Sequence, residues 1–426
     1  MQEDFLHYLW KYKKFDFTQA RTSDGQSVVL IDPGMHNHNS GPDFFNARIR
    51  IGNQLWAGNV EIHLRASDWY FHRHETDSNY DNVILHVVWE DDIEVYRKNN
   101  SIIPSLALSG LVDKALLNKY RNLVTTRDKW INCEKNFPYV DEFKLRHWLE
   151  RVYFERLENK SELILKILKA SENNWEAVLF SLLCRNFGLN VNGDAFLSLA
   201  QSFDFSLVQK CALDRLRLEA LLFGQAGFLK EDSSEIYFRN LKREYEFLQH
   251  KYRLRNDQVV QAKFFRLRPD NFPNIRLSQL ASLYHQHKNL FSELIRAREL
   301  NAIAEVFKVE TSEFWQTHYT FSKAHKKRTK RITNSFVDLV VINTVVPLKF
   351  CYARETGQEP EEEILNILTA IKAESNSIIE KFNLLRPGTT SNALDSQAVL
   401  QLKNNYCDMN KCLNCEIGTS LLQAVN

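Results

Sequence analysis

SGPDFFNARIRIGNQLWAGNVEIHLRASDWYFHRHETDSNYDNVILHVVWE, residues 40–90, is the stretch on which the fold turns. Residues 44–51 (FFNARIRI) alternate apolar and polar side chains, Gly52-Asn53 is a turn pair, and residues 54–64 (QLWAGNVEIHL) alternate again. Alternation with period two marks a strand, and two such runs joined across a glycine-containing pair predict a β-hairpin. NVILHVVWE (82–90) is the most apolar run nearby and reads as a buried strand. Between them RASDWYFHRH (65–74) predicts a helix or loop, with Asp68 as its cap.

Working outward, residues 3–20 predict an amphipathic helix carrying Phe5, Leu6, Leu9 and Trp10. SVVLIDPG (27–34) predicts a strand stopped at Pro33-Gly34, and MHNHNSG (35–41) is a polar loop with His36 and His38. IEVYRKN (93–99) would add an edge strand. After residue 135 the pattern changes. NFPYVDE (136–142) reads as a linker, and helical periodicity then dominates over 144–170, 174–188, 214–229, 236–252 and 278–297. Gly188 would close the second of these helices. The two prolines of residues 265–277 predict an extended connection, and residues 336–353, the most apolar stretch of the second half, a buried core helix. The predicted fold class is therefore α+β. A small α/β unit (1–135) precedes a large helical region (136–400) and a cysteine-rich tail (401–426).

Composition limits the function classes. The 426 residues are 44% hydrophobic and 25% charged, with a net charge of +2, which argues against wholesale binding of polyanions. No uninterrupted apolar run approaches the roughly 18–20 residues that span a bilayer, and the N-terminal residues lack the apolar core of a secretory signal. A cytoplasmic protein is expected, with no membrane partner. Seven cysteines in so long a chain do not suggest a disulfide framework. Cys133, Cys184, Cys211 and Cys351 are isolated, whereas Cys407, Cys412 and Cys415 cluster.

The chemistry-bearing residues concentrate in the opening stretch. Asp43 begins the first hairpin strand, and Glu61 and His63 share one face of the second. A hairpin turning at Gly52 brings Asp43 beside Glu61. Converging carboxylates suit Mg²⁺ or Mn²⁺, an ion that activates water and offsets phosphate charge. His72, His74 and His86 are further metal-ligand positions, with His36 and His38 in reach of Asp43. His86 reads first as a buried histidine bonded to backbone, and only second as a ligand. With His63, the set His72, His74 and His86 also fits a zinc hydrolase of small molecules.

Gly41-Pro42-Asp43 followed by Glu61-Ile62-His63 resembles the PD-(D/E)XK nuclease signature, and the predicted order of elements resembles that fold's core. The resemblance covers the first third of the chain. It implies that Asp43 and Glu61 hold a metal and that position 63 orients the attacking water. His63 stands where lysine is expected, and either acts as base or ligand or marks an inactive relative. The implied function is a metal-dependent nuclease acting on nucleic acid. The alternative is a nuclease-like scaffold serving as a nucleic-acid or protein adaptor. Over nearly its full length the chain also resembles an uncharacterised bacterial family, through GPDFFNARI (41–49), GNVEIHLRASDW (58–69), YDNVILHVV (80–88), RPDNFP (268–273) and YCDMNKCLNC (406–415).

Two features lie outside that stretch. Cys407, Cys412 and Cys415 have the spacing to grip one soft metal, Zn²⁺ or an iron–sulfur cluster. Cys351 or a histidine would complete the set. Some RecB-like nucleases carry a similar cluster. Residues 321–334 (FSKAHKKRTKRITN) hold four lysines and two arginines, among them Lys326, Lys327, Arg328, Lys330 and Arg331. They are positioned either to contact phosphates or to form a solvated helix face.

Overall fold

The computed structural model describes residues 1–37, 39–124 and 129–423, so His38 lies outside the described residues. The chain is α+β and divides into two units, Met1–Trp148 with Leu402–Asn426, and Leu149–Gln401. The first boundary thus falls near 148, inside a helix, where the sequence reading placed it at 135. The tail belongs to the first unit.

In the first unit, α1 (Glu3–Lys11) has Glu3 and Asp4 in its first turn and Lys11 in its last, charges that complement the helix dipole. It stops well before residue 20, since Lys13 turns into the left-handed region at φ 53°. Phe5, Leu6, Tyr8, Leu9 and Trp10 are buried. The strands β1 (Val28–Asp32), β2 (Met35–His36), β3 (Phe44–Ile51) and β4 (Gln54–Arg65) follow. The predicted hairpin is β3–β4, antiparallel and in register from Ile51 opposite Gln54. A bulge between Phe44 and Ala47, with Asn46 at φ 58°, kinks β3 just after Asp43. Gly34 has no alternative residue: its φ is +83°, and a Cβ would sit 2.3 Å from the Phe45 carbonyl oxygen.

From β4 the chain crosses through α2 (Asp68–Phe71) and two single 3₁₀ turns to β5 (Val83–Glu90), which runs parallel to β4. Parallel neighbours require such a crossover. Asp68 does not act as the predicted cap. It is the first helical residue, and its Oδ2 accepts the Arg65 N–H at 2.9 Å. Residues 93–99 do not form the sheet's edge either: β6 (Val95–Tyr96) and β7 (Ile102–Ile103) make a separate ribbon. The edge is β8 (Ser105–Ala107), parallel to β5, in a sheet ordered β1-β3-β4-β5-β8 with β2 beside β3. After α3 (Lys114–Val124), α4 (Glu142–Ala170) is a single long helix.

Register gives the sheet two unlike faces. Val60 pairs with Leu85 and Ile62 with Val87, and these four join the α1 side chains in one apolar core. Leu413 and Leu422, from the tail, complete that core. The intervening residues, Glu61 opposite His86 and His63 opposite Val88, face the other way. On that side Val88 packs with Trp69 and Tyr80 from the crossover.

The second unit is helical. Trp175–Phe187 ends before Gly188, but Gly188 is not left-handed (φ −69°); Leu189 is, at φ 54°. Glycine is needed at 188 for close packing, since a Cβ would lie 2.3 Å from the Asn192 carbonyl oxygen. The helix predicted over 278–297 is two helices, Pro273–Gln286 and Leu290–Arg296. Pro273 opens the first of them, a position where a missing N–H costs nothing. The apolar segment becomes a 22-residue helix, Asn334–Glu355, that widens into a π turn at Val341–Val345 just before Pro347. By length and hydropathy it would cross a bilayer, but 78% of its most apolar window is buried inside the protein.

Candidate metal centre

Hairpin pairing sets Asp43 against Glu61, and a backbone N–H of the opposite strand fixes each carboxylate. Asp43 Oδ2 accepts the Ile62 N–H at 2.9 Å, and the Asp43 N–H donates to Glu61 Oε2 at 3.2 Å. Glu61 is only 5% exposed. Asp43 Oδ2 also lies 3.4 Å from His7 Nε2 of α1. His36 stacks on Phe44 beside His7, at centroid distances of 4.7 Å and 5.1 Å.

On the same face, β4 and the crossover bring the histidines together. His63 Nε2 lies 3.1 Å from His72 Nδ1 and 3.4 Å from Glu61 Oε1. His74 Nε2 is 3.2 Å from the same Glu61 oxygen. One ring nitrogen from each of His63, His72 and His74 falls within 4.8 Å of the others, a spacing suited to one ion. His74 is stacked on Tyr80 at 3.8 Å, and Arg73 just before it takes the left-handed φ of 61°, which lets the chain turn back toward β4.

His86 stands behind this group. It is fully buried, and its Nε2 contacts His63 Nδ1 at 2.8 Å. It is thus neither one of the three converging donors nor a histidine bonded to backbone. It is the neighbour that orients His63, as outer partners commonly orient metal-ligating imidazoles.

The electrostatics suit a cation. Burial, reinforced by the neighbouring imidazoles, pushes His63 down to about 2. Burial and His72 take His74 to about 4, and burial and His74 take His86 to about 3. These rings are neutral at pH 7, the form that binds metal. Burial and the Asp43 charge push Glu61 up to about 9. Burial and Asp43 likewise raise Glu3, on α1, to about 7. For His7, burial opposes protonation, but the hydrogen bond and charge of Asp43 outweigh it and raise its pKa. Sequence reasoning missed Glu3 and His7. Their signal was a spacing of one helical turn on α1.

The other two predicted clusters fare differently. Cys351 belongs to the second unit, where Ser161 hydrogen-bonds its sulfur, whereas Cys407, Cys412 and Cys415 belong to the first. The basic run is no helix: His318–Thr320 and Lys323–Ala324 pair as a short ribbon. Lys330 is 3% exposed; its ammonium donates to the Trp315 and His318 carbonyls and sits 4.1 Å over the Tyr319 ring. A lysine so enclosed supports the fold. Arg328 pairs with Asp270 and Arg331 with Glu310, leaving Lys323, Lys326 and Lys327 as the other exposed cations of the run.

The chain belongs to a family described as protein of unknown function (DUF2851), whose model matches residues 3–377. No curated protein and no solved structure matched the chain.

Proposed function

We propose that the first unit is a metal-dependent hydrolase of phosphodiester bonds in nucleic acid, with His63, His72 and His74 as the residues that hold its ion. The observation that carries this reading is the convergence of three ring nitrogens within 4.8 Å beside a buried carboxylate. Nitrogen donors favour Zn²⁺ over the Mg²⁺ or Mn²⁺ that carboxylates alone would suggest. The substrate class rests on the likeness of Asp43, Glu61 and His63 to the PD-(D/E)XK signature. The element order supports it: a helix, an antiparallel set of strands, a crossover and a parallel strand.

A bound divalent ion would supply Lewis acidity toward a phosphoryl oxygen and lower the pKa of water. The chain's residues do the rest. Glu61, held by the Asp43 N–H, lies beside the imidazoles and, once ionised by the charge of a bound cation, would accept a proton from water. His7 fixes the second carboxylate, Asp43. Trp69 and Tyr80 pack against the His74 ring, while His72 is exposed to solvent.

The test is elemental analysis of the purified protein, then incubation with labelled single- and double-stranded DNA and RNA in Zn²⁺, Mn²⁺ and Mg²⁺. Cleavage that disappears in Glu61→Ala supports the reading. Equal cleavage by that variant sinks it. Both ring nitrogens of His63 are engaged by neighbouring imidazoles, which favours a second reading, a non-hydrolytic scaffold. Salt-sensitive binding without turnover would select it.

A further inference from the structure

Residues 129–137 are brought against the tail inside the first unit. The Asn132 side-chain amide donates to the Cys412 sulfur at 3.3 Å and to Asn410 Oδ1 at 3.1 Å. A cavity of about 290 Å³ is lined by Trp130 and Asn132 on one side and Cys407 and Asn410 on the other. Cys133 and Cys412 pack against the same apolar core. We propose that Cys133, Cys407, Cys412 and Cys415 form a four-thiolate site for one soft metal centre, with Cys133 as the ligand that ties the tail to the rest of the first unit.

The surroundings are built for charged sulfur. The Gly418 and Ile417 amides address the Cys415 sulfur, and Asn132 addresses that of Cys412. Lys129 lies close enough to stabilise a thiolate at Cys133, and Lys403 one at Cys407. Gly418 permits the turn: a Cβ there would lie 2.1 Å from the Cys412 carbonyl oxygen, so any other residue would push the helix Glu416–Gln423 off the Cys412–Cys415 loop. Coordination of a soft metal deprotonates thiols outright, so sulfurs gathered in this way are a donor set for such a centre. Zn²⁺ and an iron–sulfur cluster share this donor chemistry.

The experiment uses the full chain purified without oxygen. Zinc, iron and acid-labile sulfide are measured per chain in wild type, Cys133→Ser, Cys412→Ser and Cys351→Ser. The site predicts that Cys133→Ser and Cys412→Ser each lose one zinc equivalent, or the iron and sulfide together, while Cys351→Ser keeps the wild-type content. Metal on the imidazoles is unchanged by these variants, so this result stands apart from the hydrolase reading. Thiol alkylation of wild type with and without chelator, read by mass spectrometry, covers the case of variants that fail to fold. Protection of these four cysteines only before chelation supports the site. Metal content unchanged in Cys133→Ser, or a wild type whose tail cysteines alkylate equally either way, overturns it.

Discussion

Strands β4 and β5 present two faces built from alternating residues of the same backbone. Val60, Ile62, Leu85 and Val87 bury themselves against α1, whereas Glu61, His63 and His86 are buried among polar groups. The first face gains free energy by leaving water. The second gives up hydration for groups that titrate abnormally. A pleated strand therefore lets a costly site rest on a stabilising core with no extra chain.

The sharpest way to break this contrast is on the apolar face. Ile62→Ala should destabilise the first unit by about 2–5 kcal/mol, as deletion of a buried aliphatic side chain does, read from denaturant midpoints. It should leave ion stoichiometry at His63 unchanged in the fraction still folded. Next in size is His86→Phe. Filling the position but removing the partner of His63 Nδ1 should weaken metal affinity by about 10–100-fold, measured by competition with a chromophoric chelator. Affinity equal to wild type would place His86 in the packing alone.

The pH dependence of stability comes third, measured with chelator present. His63, His74 and His86 have pKa values lowered from 6.5, so below that pH the unfolded chain binds more protons and stability rises with pH. Glu61 is raised from 4.5 to about 9, so across that window the folded form keeps a proton that the unfolded chain releases, and stability falls as pH rises. Glu3, raised from 4.5 to about 7, adds to that fall. Three imidazoles outweigh two carboxyls between 4.5 and 6.5. The contribution of these five groups to the stability of the metal-free protein should thus peak near pH 6.5 and fall above it. Glu61→Gln should flatten the alkaline limb, and so should Zn²⁺, which lets Glu61 ionise in place. Smallest is Arg48→Ala, which removes an exposed pair with Asp32 on the same sheet. No shift in thermal midpoint is expected, and a measurable one would show that the sheet's exposed end also carries stability.

The local features of this design were legible in the sequence. The hairpin followed from the alternation around Gly52-Asn53, and His72 and His74 were found because they sit close to Glu61 along the chain. What was not legible depended on tertiary placement. His86 looked like a possible ligand, and only the β4–β5 register shows it behind His63. Glu3 and His7 were hidden in a helix that read as plain core. Cys133 looked isolated because its neighbours at 407–415 reach it only after the chain has built the second unit. The basic run was read as a surface because composition does not show that Lys330 is enclosed by Trp315, His318 and Tyr319.

The first unit is interrupted in sequence, and that has a consequence for biosynthesis. Leu413 and Leu422 complete the core under β4 and β5, yet they are made after every residue of Leu149–Gln401. At about 5–20 residues per second, the sheet waits some tens of seconds for the last side chains of its own core. Only at the end of that wait does the second unit have all its residues, while the sheet still lacks the last side chains of its own core. A nascent chain stalled before residue 413 would carry an open sheet.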